Sequence, residues 1–206
     1  MKLASHFYAI VDPFAGHDPV ELAGTMLEAG ARLMQLRLKN AGSREFLAVA
    51  RAISSMCHRY GATFIVNDRV DIALLSDADG VHLGQNDLPI EAGRKLIGSN
   101  RMIGVSTASV EMARAAEAAG ADYIGFGPVF EGGLKHTVHG KGLEMLAQVR
   151  AAVRIPIVAI GGITEATTPQ VLAAGADAAA IITDVVTAPD IAAKIRSLLA
   201  IEPPAR

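Results

Sequence analysis

The stretch GADYIGFGP, residues 120–128, sets a small residue and an acid ahead of an apolar run, then breaks the run with glycine and proline. Three related phrases occur elsewhere in the chain: GARLMQLRL (30–38), DADGVHLGQ (77–85) and GADAAAIIT (175–183). Gly30, Gly120 and Gly175 fit the left-handed residue that closes a helix, and Asp77 stands in the same place as a less usual occupant. The phrases return every roughly 45–55 residues, the length of one βαβα module. Each should therefore introduce every second strand.

Eight apolar runs bear this out as strand candidates: FYAIV (7–11), LMQLRL (33–38), TFIV (63–66), GVHLG (80–84), MIGVS (102–106), YIGFG (123–127), IPIVAIGG (155–162) and AAAIIT (178–183). Between them lie segments of helical spacing, clearest at Phe46, Ala50, Ile53 and Cys57 and at Ile191, Ile195 and Leu198. Strands alternating with helices pair in parallel through right-handed crossovers, and near-continuous apolar strands belong to a sheet covered on both faces. The expected fold is α/β, a single-domain (β/α)8 TIM barrel. A closed barrel accounts for the two-strand period better than an open doubly wound sheet does, because alternate strands supply the same interior layer.

Length and composition agree. The 206 residues, 51% of them hydrophobic, are enough for one substantial core, so residues 1–206 read as one domain with a short frayed tail at about 201–206. Nineteen basic side chains stand against 21 acidic ones without long runs of either sign, which leaves no electrostatic footprint for nucleic acid or an anionic membrane. The apolar runs are too short to span a bilayer, and the N-terminal stretch does not have the form of a signal peptide. One cysteine, Cys57, cannot form an intrachain bridge, and the expected compartment is the cytoplasm. The oligomeric state is not written in the sequence, and a homo-oligomer is compatible with it.

In this fold, chemistry gathers where the strands' C-terminal ends meet the following loops. The second strand ends in Gln35, Arg37 and Lys39, which share one face at period two; the third ends in Asn67 and Asp68; the fourth carries His82, Gln85 and Asp87; the fifth ends in Ser106 and Thr107. Two cations side by side call for an anion between them. Asp68 and Asp87, from adjacent strands, suit a hard divalent ion that takes its other ligands from water and phosphate oxygens. A carboxylate after a strand is also a common helix N-cap, and each aspartate has that plainer reading. His82 reads as a packed or orienting histidine, and Cys57 as core. His136 and His139 have no acidic partners nearby in sequence. Across the barrel, Gly161 and Gly162 after the seventh strand and the end of the eighth offer backbone N–H groups to a phosphate. One metal-assisted anion site and one built of peptide dipoles suit a reaction between two phosphorylated molecules.

Together, QLRLK (35–39), VNDRVDIAL (66–74), ADGVHLGQNDLP (78–89), IGVSTAS (103–109), GADYIGFGPVF (120–130) and IVAIGGI (157–163) resemble the thiamine-phosphate synthase family over nearly the whole chain. The resemblance implies a transferase of thiamine biosynthesis with Mg²⁺ as cofactor and two small-molecule substrates. It would couple hydroxymethylpyrimidine diphosphate to a thiazole phosphate, releasing diphosphate. By the same resemblance Gln35, Arg37, Lys39 and Asn67 hold the pyrimidine diphosphate, and Asp68 and Asp87 hold the metal. Ser106 and Lys135 meet the diphosphate, with Arg37, Lys39, Ser106 and Lys135 the catalytic set. Gly162, Ile182 and Thr183 bind the thiazole phosphate.

The chain departs from the family where a Thr-x-Thr-Lys run is usual after GPVF: here EGGLKHT places Gly132 and Leu134 at the threonine positions, keeps Lys135, and adds Glu131. Thr137 is the hydroxyl nearest in sequence for compensation. Leu38 stands where an acid is common, at an alternating position expected to face away from the cup. Two competing readings are a thiazole tautomerase, which needs a histidine where this chain has Ala108, and a non-catalytic barrel that binds a phosphorylated thiazole or pyrimidine.

Overall fold

The structure is a computed structural model that describes residues 2–132 and 140–204. Eight parallel strands close on themselves in sequence order: β1 (Phe7–Val11), β2 (Leu33–Leu36), β3 (Thr63–Asn67), β4 (Gly80–Leu83), β5 (Met102–Thr107), β6 (Tyr123–Phe126), β7 (Ile157–Ile160) and β8 (Ala178–Ile181). The closing pair sets Phe7 beside Ala179 and Ala9 beside Ile181. Around them run α1 (Pro19–Glu28), α2 (Ser43–Tyr60), α3 (Val70–Leu75), α4 (Ile90–Ile97), α5 (Val110–Ala118), α6 (Gly142–Ala152) and α7 (Thr168–Ala173). Two helices follow the last strand, a short α8 (Thr183–Val186) and then α9 (Ile191–Leu199), where the sequence pattern gives only the second. α8 is a single turn, too short to leave a periodic signature.

Five strands (β2, β4, β6, β7 and β8) stop earlier than their apolar runs, while β3 and β5 extend one residue beyond theirs. The run at 33–38 yields a strand to Leu36, because its partner β1 ends at Val11; the Arg37 N–H still reaches the Val11 carbonyl at 2.9 Å. Side chains alternate across the strands. Odd-numbered β1 residues such as Phe7, Ala9 and Val11 join the large shell between strands and helices, while Tyr8 and Ile10 point inward with Leu33, Ile65, Tyr123, Val158, Ala178 and Ala180. Leu38 is 9% exposed and belongs to the outer shell, as its alternation predicts.

The repeated phrase has a structural cause. Ala31, Ala78, Ala121 and Ala176 each donate their N–H to a carbonyl five residues back, at Met26, Ala73, Ala116 and Val171. The residue before each is left-handed: Gly30 at φ 108°, Asp77 at 54°, Gly120 at 88° and Gly175 at 112°. This is the two-bond helix ending that needs a positive φ, and aspartate tolerates it better than most side chains. The acid that follows in three of the phrases latches the neighbouring strand. Asp79, Asp122 and Asp177 accept the N–H of Phe64, Ile103 and Ile157 at 2.7, 2.8 and 2.8 Å. These latches lie at the strands' N-terminal ends, opposite the loops that carry the candidate site. His6 Nε2 donates to the Leu198 carbonyl at 3.1 Å and ties the start of β1 to the end of α9.

Candidate active site

The strand exits bring together most of the residues singled out from the sequence. Lys39 Nζ donates to Asp68 Oδ2 at 2.5 Å across the ends of β2 and β3. Arg37 pairs with Asp12, which follows β1 and is 5% exposed. The two cations therefore do not face each other unpaired, as side-by-side strand positions suggest; each rests on a carboxylate of its own. Sequence reasoning missed Asp12. Its signal was available, since an acid directly after an apolar strand is the pattern that marked Asp68, but Asp12-Pro13 reads first as a turn. Asp12 does serve that turn as well, accepting the Phe14 N–H at 3.0 Å.

Neither Asp68 nor Asp87 is a helix N-cap. α3 starts after Arg69 and α4 after Pro89, both without a side-chain cap, and Asp87 Oδ2 instead accepts the Gly84 N–H at 2.6 Å. Burial raises the Asp87 carboxyl above the usual carboxylate range, and the Asp68 carboxylate beside it pushes in the same direction. The two carboxylates line one cavity at the strand exits, together with Arg69, Asp71 and Leu88. Asp68 is held there by a left-handed backbone at φ 64°, and its N–H bonds to the His82 carbonyl at 2.8 Å. Among the described residues no group of three or more His, Cys, Asp or Glu side chains converges on one point. Two carboxylates, with no third such ligand among the described residues, suit an ion such as Mg²⁺, which keeps water and takes phosphate oxygens.

Deeper in the cup, Gln35 and Asn67 are 5% and 8% exposed. Gln35 Nε2 donates to the Tyr8 hydroxyl at 2.9 Å, and that hydroxyl lies 3.0 Å from the Tyr123 hydroxyl. His82 Nδ1 is 3.1 Å from the Tyr123 hydroxyl and its Nε2 2.9 Å from Ser106 Oγ. His82 thus orients Ser106. Burial pushes its imidazole down to about 4, with Lys39 adding to the effect and Asp68 opposing it, so the ring is neutral at pH 7. Gln85 Nε2 donates to the Ser106 carbonyl at 2.5 Å and fixes the same strand end from outside. Thr107 Oγ1 donates to the Gly125 carbonyl at 3.2 Å and is buried, a structural role.

The opposite rim is made of backbone. Gly161 and Gly162 have φ of 97° and 63°, and a Cβ on Gly162 would meet the Glu131 carbonyl oxygen at 2.5 Å. The root of the loop after β6 therefore lies against the turn after β7. Ile182 packs on the inner cluster at the mouth, and Thr183 begins α8. Lys135, with Leu134, His136, Thr137 and His139, lies outside the described residues. Cys57 is buried in α2 as expected, its sulfur 3.9 Å from that of Met34.

Comparison with known proteins finds close relatives in sequence and in fold. The sequence model of the family described as thiamine monophosphate synthase matches residues 7–185. A protein of Moorella thermoacetica named thiamine-phosphate synthase is 47% identical over 184 residues, covering 89% of this chain and 88% of that protein. One of Methanocella arvoryzae, with the same name, is 48% identical over 182 residues, covering 88% and 86%. Among solved structures, a thiamine phosphate pyrophosphorylase from Pyrococcus furiosus superposes with a TM-score of 0.87 at 41% identity, over 93% of this chain and 92% of that one.

Proposed function

Since the chain belongs to the thiamine monophosphate synthase family of transferases, we propose that its strand exits join hydroxymethylpyrimidine diphosphate to a thiazole phosphate, releasing diphosphate. The observation that carries this reading is the cavity shared by Asp68 and Asp87, with Lys39 paired to Asp68 and Arg37, two residues before Lys39, anchored on Asp12. It is a place for a strongly anionic group with a cation shared between two acids. Gly162, Ile182 and Thr183 form the second anion site, for the thiazole phosphate, on the far rim.

The reaction breaks the bond between the pyrimidine methylene and the diphosphate oxygen, and the electron pair leaves with the oxygen. The thiazole nitrogen supplies the pair for the new bond to that methylene carbon. Negative charge therefore grows at the departing oxygens, and groups aimed there lower the barrier instead of merely tightening binding. Mg²⁺ held by Asp68 and Asp87 would neutralise part of that charge when bound. Lys39 exchanges Asp68 for a phosphate oxygen as the diphosphate arrives, which frees the carboxylate for its ligand role. Arg37 is held in place by Asp12 and turns its remaining N–H groups to the diphosphate. Lys135 and Ser106 complete the set of donors, while Gln35 and Asn67 orient the pyrimidine ring. The second phosphate fixes the thiazole at the reacting distance, so positioning supplies the rest of the rate. The buried Cys57 suits a reducing, cytoplasmic setting.

Diphosphate release, followed with both phosphorylated substrates and Mg²⁺, tests the reading. The native protein should release diphosphate, and Asp68→Ala and Asp87→Ala should each abolish Mg²⁺-dependent turnover with unchanged circular dichroism. Full rates in both variants would remove the two aspartates from their assigned role. Saturable thiazole phosphate binding without any release would instead favour a binding protein.

A further inference from the structure

Gln35, Tyr8, Tyr123, His82 and Ser106 come from five different strands and form one hydrogen-bonded file across the floor of the cup, each link between 2.9 and 3.1 Å. Both tyrosines are 1% exposed. Burial raises both phenols above their ordinary range, so each hydroxyl keeps its single proton. The direction of the file then follows by counting protons. Tyr8 accepts from Gln35 Nε2, so its own proton goes to the Tyr123 oxygen. Tyr123 in turn has one proton, and its remaining neighbour in the file is His82 Nδ1. A nitrogen that accepts carries no proton, so the imidazole bears its hydrogen on Nε2 and donates to Ser106 Oγ. The Ser106 proton is left pointing out of the file, and at the other end the Gln35 side-chain oxygen is left as an acceptor.

The strands make room for this file. A Cβ on Gly104 of β5 would come within 2.0 Å of Tyr123 Cζ, and one on Gly125 of β6 within 2.9 Å of His82 Cε1. Both positions are inward by alternation, and neither strand places a side chain where the rings must lie. No buried side-chain polar atom among the described residues is left without a partner, so the file is complete inside the barrel.

We propose that Tyr8, Tyr123 and His82 are positioning residues whose one-way hydrogen bonds set the polarity of both ligand-facing ends, making Ser106 a donor to an anionic oxygen and Gln35 an acceptor for an amino group. With the substrates of the preceding section, on which the identity of these atoms rests, the oxygen belongs to the diphosphate and the amino group to the pyrimidine. The two ends thus distinguish the two halves of one substrate. A pyrimidine bearing an oxygen in place of the amine would meet acceptor against acceptor.

The direction of the file is readable without substrate. Nitrogen-15 NMR of the free protein, with the His82 signals identified by their loss in His82→Gln, should show a protonated Nε2 and a bare Nδ1. A ring protonated on Nδ1 would mean that the file runs the other way and would overturn the proposal. In Tyr123→Phe the tautomer preference should be lost. The same variant should raise KM for the pyrimidine diphosphate about tenfold and leave KM for the thiazole phosphate nearly unchanged, as expected for a weakened hydrogen bond to a charged group. An unchanged tautomer in that variant, or equal rises in both KM values, would overturn the proposal. Because the native tautomer is measured without turnover, it decides the direction of the file whatever reaction the protein performs and whether or not Tyr123→Phe folds.

Discussion

Asp12 brings a negative charge to a rim proposed above to bind the diphosphate, and its burial gives that charge a use. A guanidinium left to itself would sample many rotamers; one held against a buried carboxylate keeps a single orientation and still has N–H groups to spare. Asp12→Asn retains an oxygen for the Phe14 N–H but loses the charge that holds Arg37. We expect kcat/KM for the pyrimidine diphosphate to fall about tenfold or more, as for loss of a charge-assisted bond, measurable as diphosphate release at limiting substrate. Single residues were unevenly legible. Asp68 and Asp87 announced themselves by following apolar strands. Tyr8 and Tyr123 did not, because an aromatic residue inside an apolar run reads as core, and its polar tip gains meaning only when a second strand brings a partner to within hydrogen-bonding distance.

At the scale of elements, the repeated phrase ties helix endings to strand beginnings. The glycine or aspartate in the left-handed conformation stops the helix, and in three of the phrases the acid two residues later accepts an N–H from the first or second residue of the adjacent strand. Asp177 also pairs with Arg150 at 3.0 Å. Asp177→Ala should therefore cost about 1–3 kcal/mol through the unsatisfied Ile157 N–H. Urea unfolding followed by circular dichroism checks this, and turnover per folded molecule should stay as it was, since the latch is at the end of the barrel away from the candidate site. The phrase was legible as a two-strand period because four copies share one geometric cause. The ends of the strands were not, since β2 stops where its neighbour β1 runs out, a fact about pairing that no single run contains. α8 escaped notice for a similar reason: a single turn shows no period.

For the molecule as a whole, Cys57 reports on opening of the barrel's outer shell. It is fully buried in α2, and burial, with Asp79 adding to it, pushes its thiol up to about 12 from 9.0. The folded state keeps the proton where the unfolded chain releases it, so this group's contribution to stability is whole below about pH 9 and declines as pH rises from there towards 12. At pH 8 a thiol reagent should label Cys57 only at the rate of unfolding, and labelling should accelerate in step with urea-induced loss of helix signal. Fast labelling in native buffer would contradict the packing of α2. The barrel itself was legible from the alternation of runs, while the pairing of Arg37 with Asp12 was not, since it joins β1 to β2 through side chains 25 positions apart. The His6 ring touches the Leu198 carbonyl, which makes the beginning of the first strand and the end of the last helix near neighbours. A short peptide spliced between them would give a circular backbone, and cutting that circle at an exposed turn such as Gly61 should produce a permuted enzyme with the same barrel and new termini.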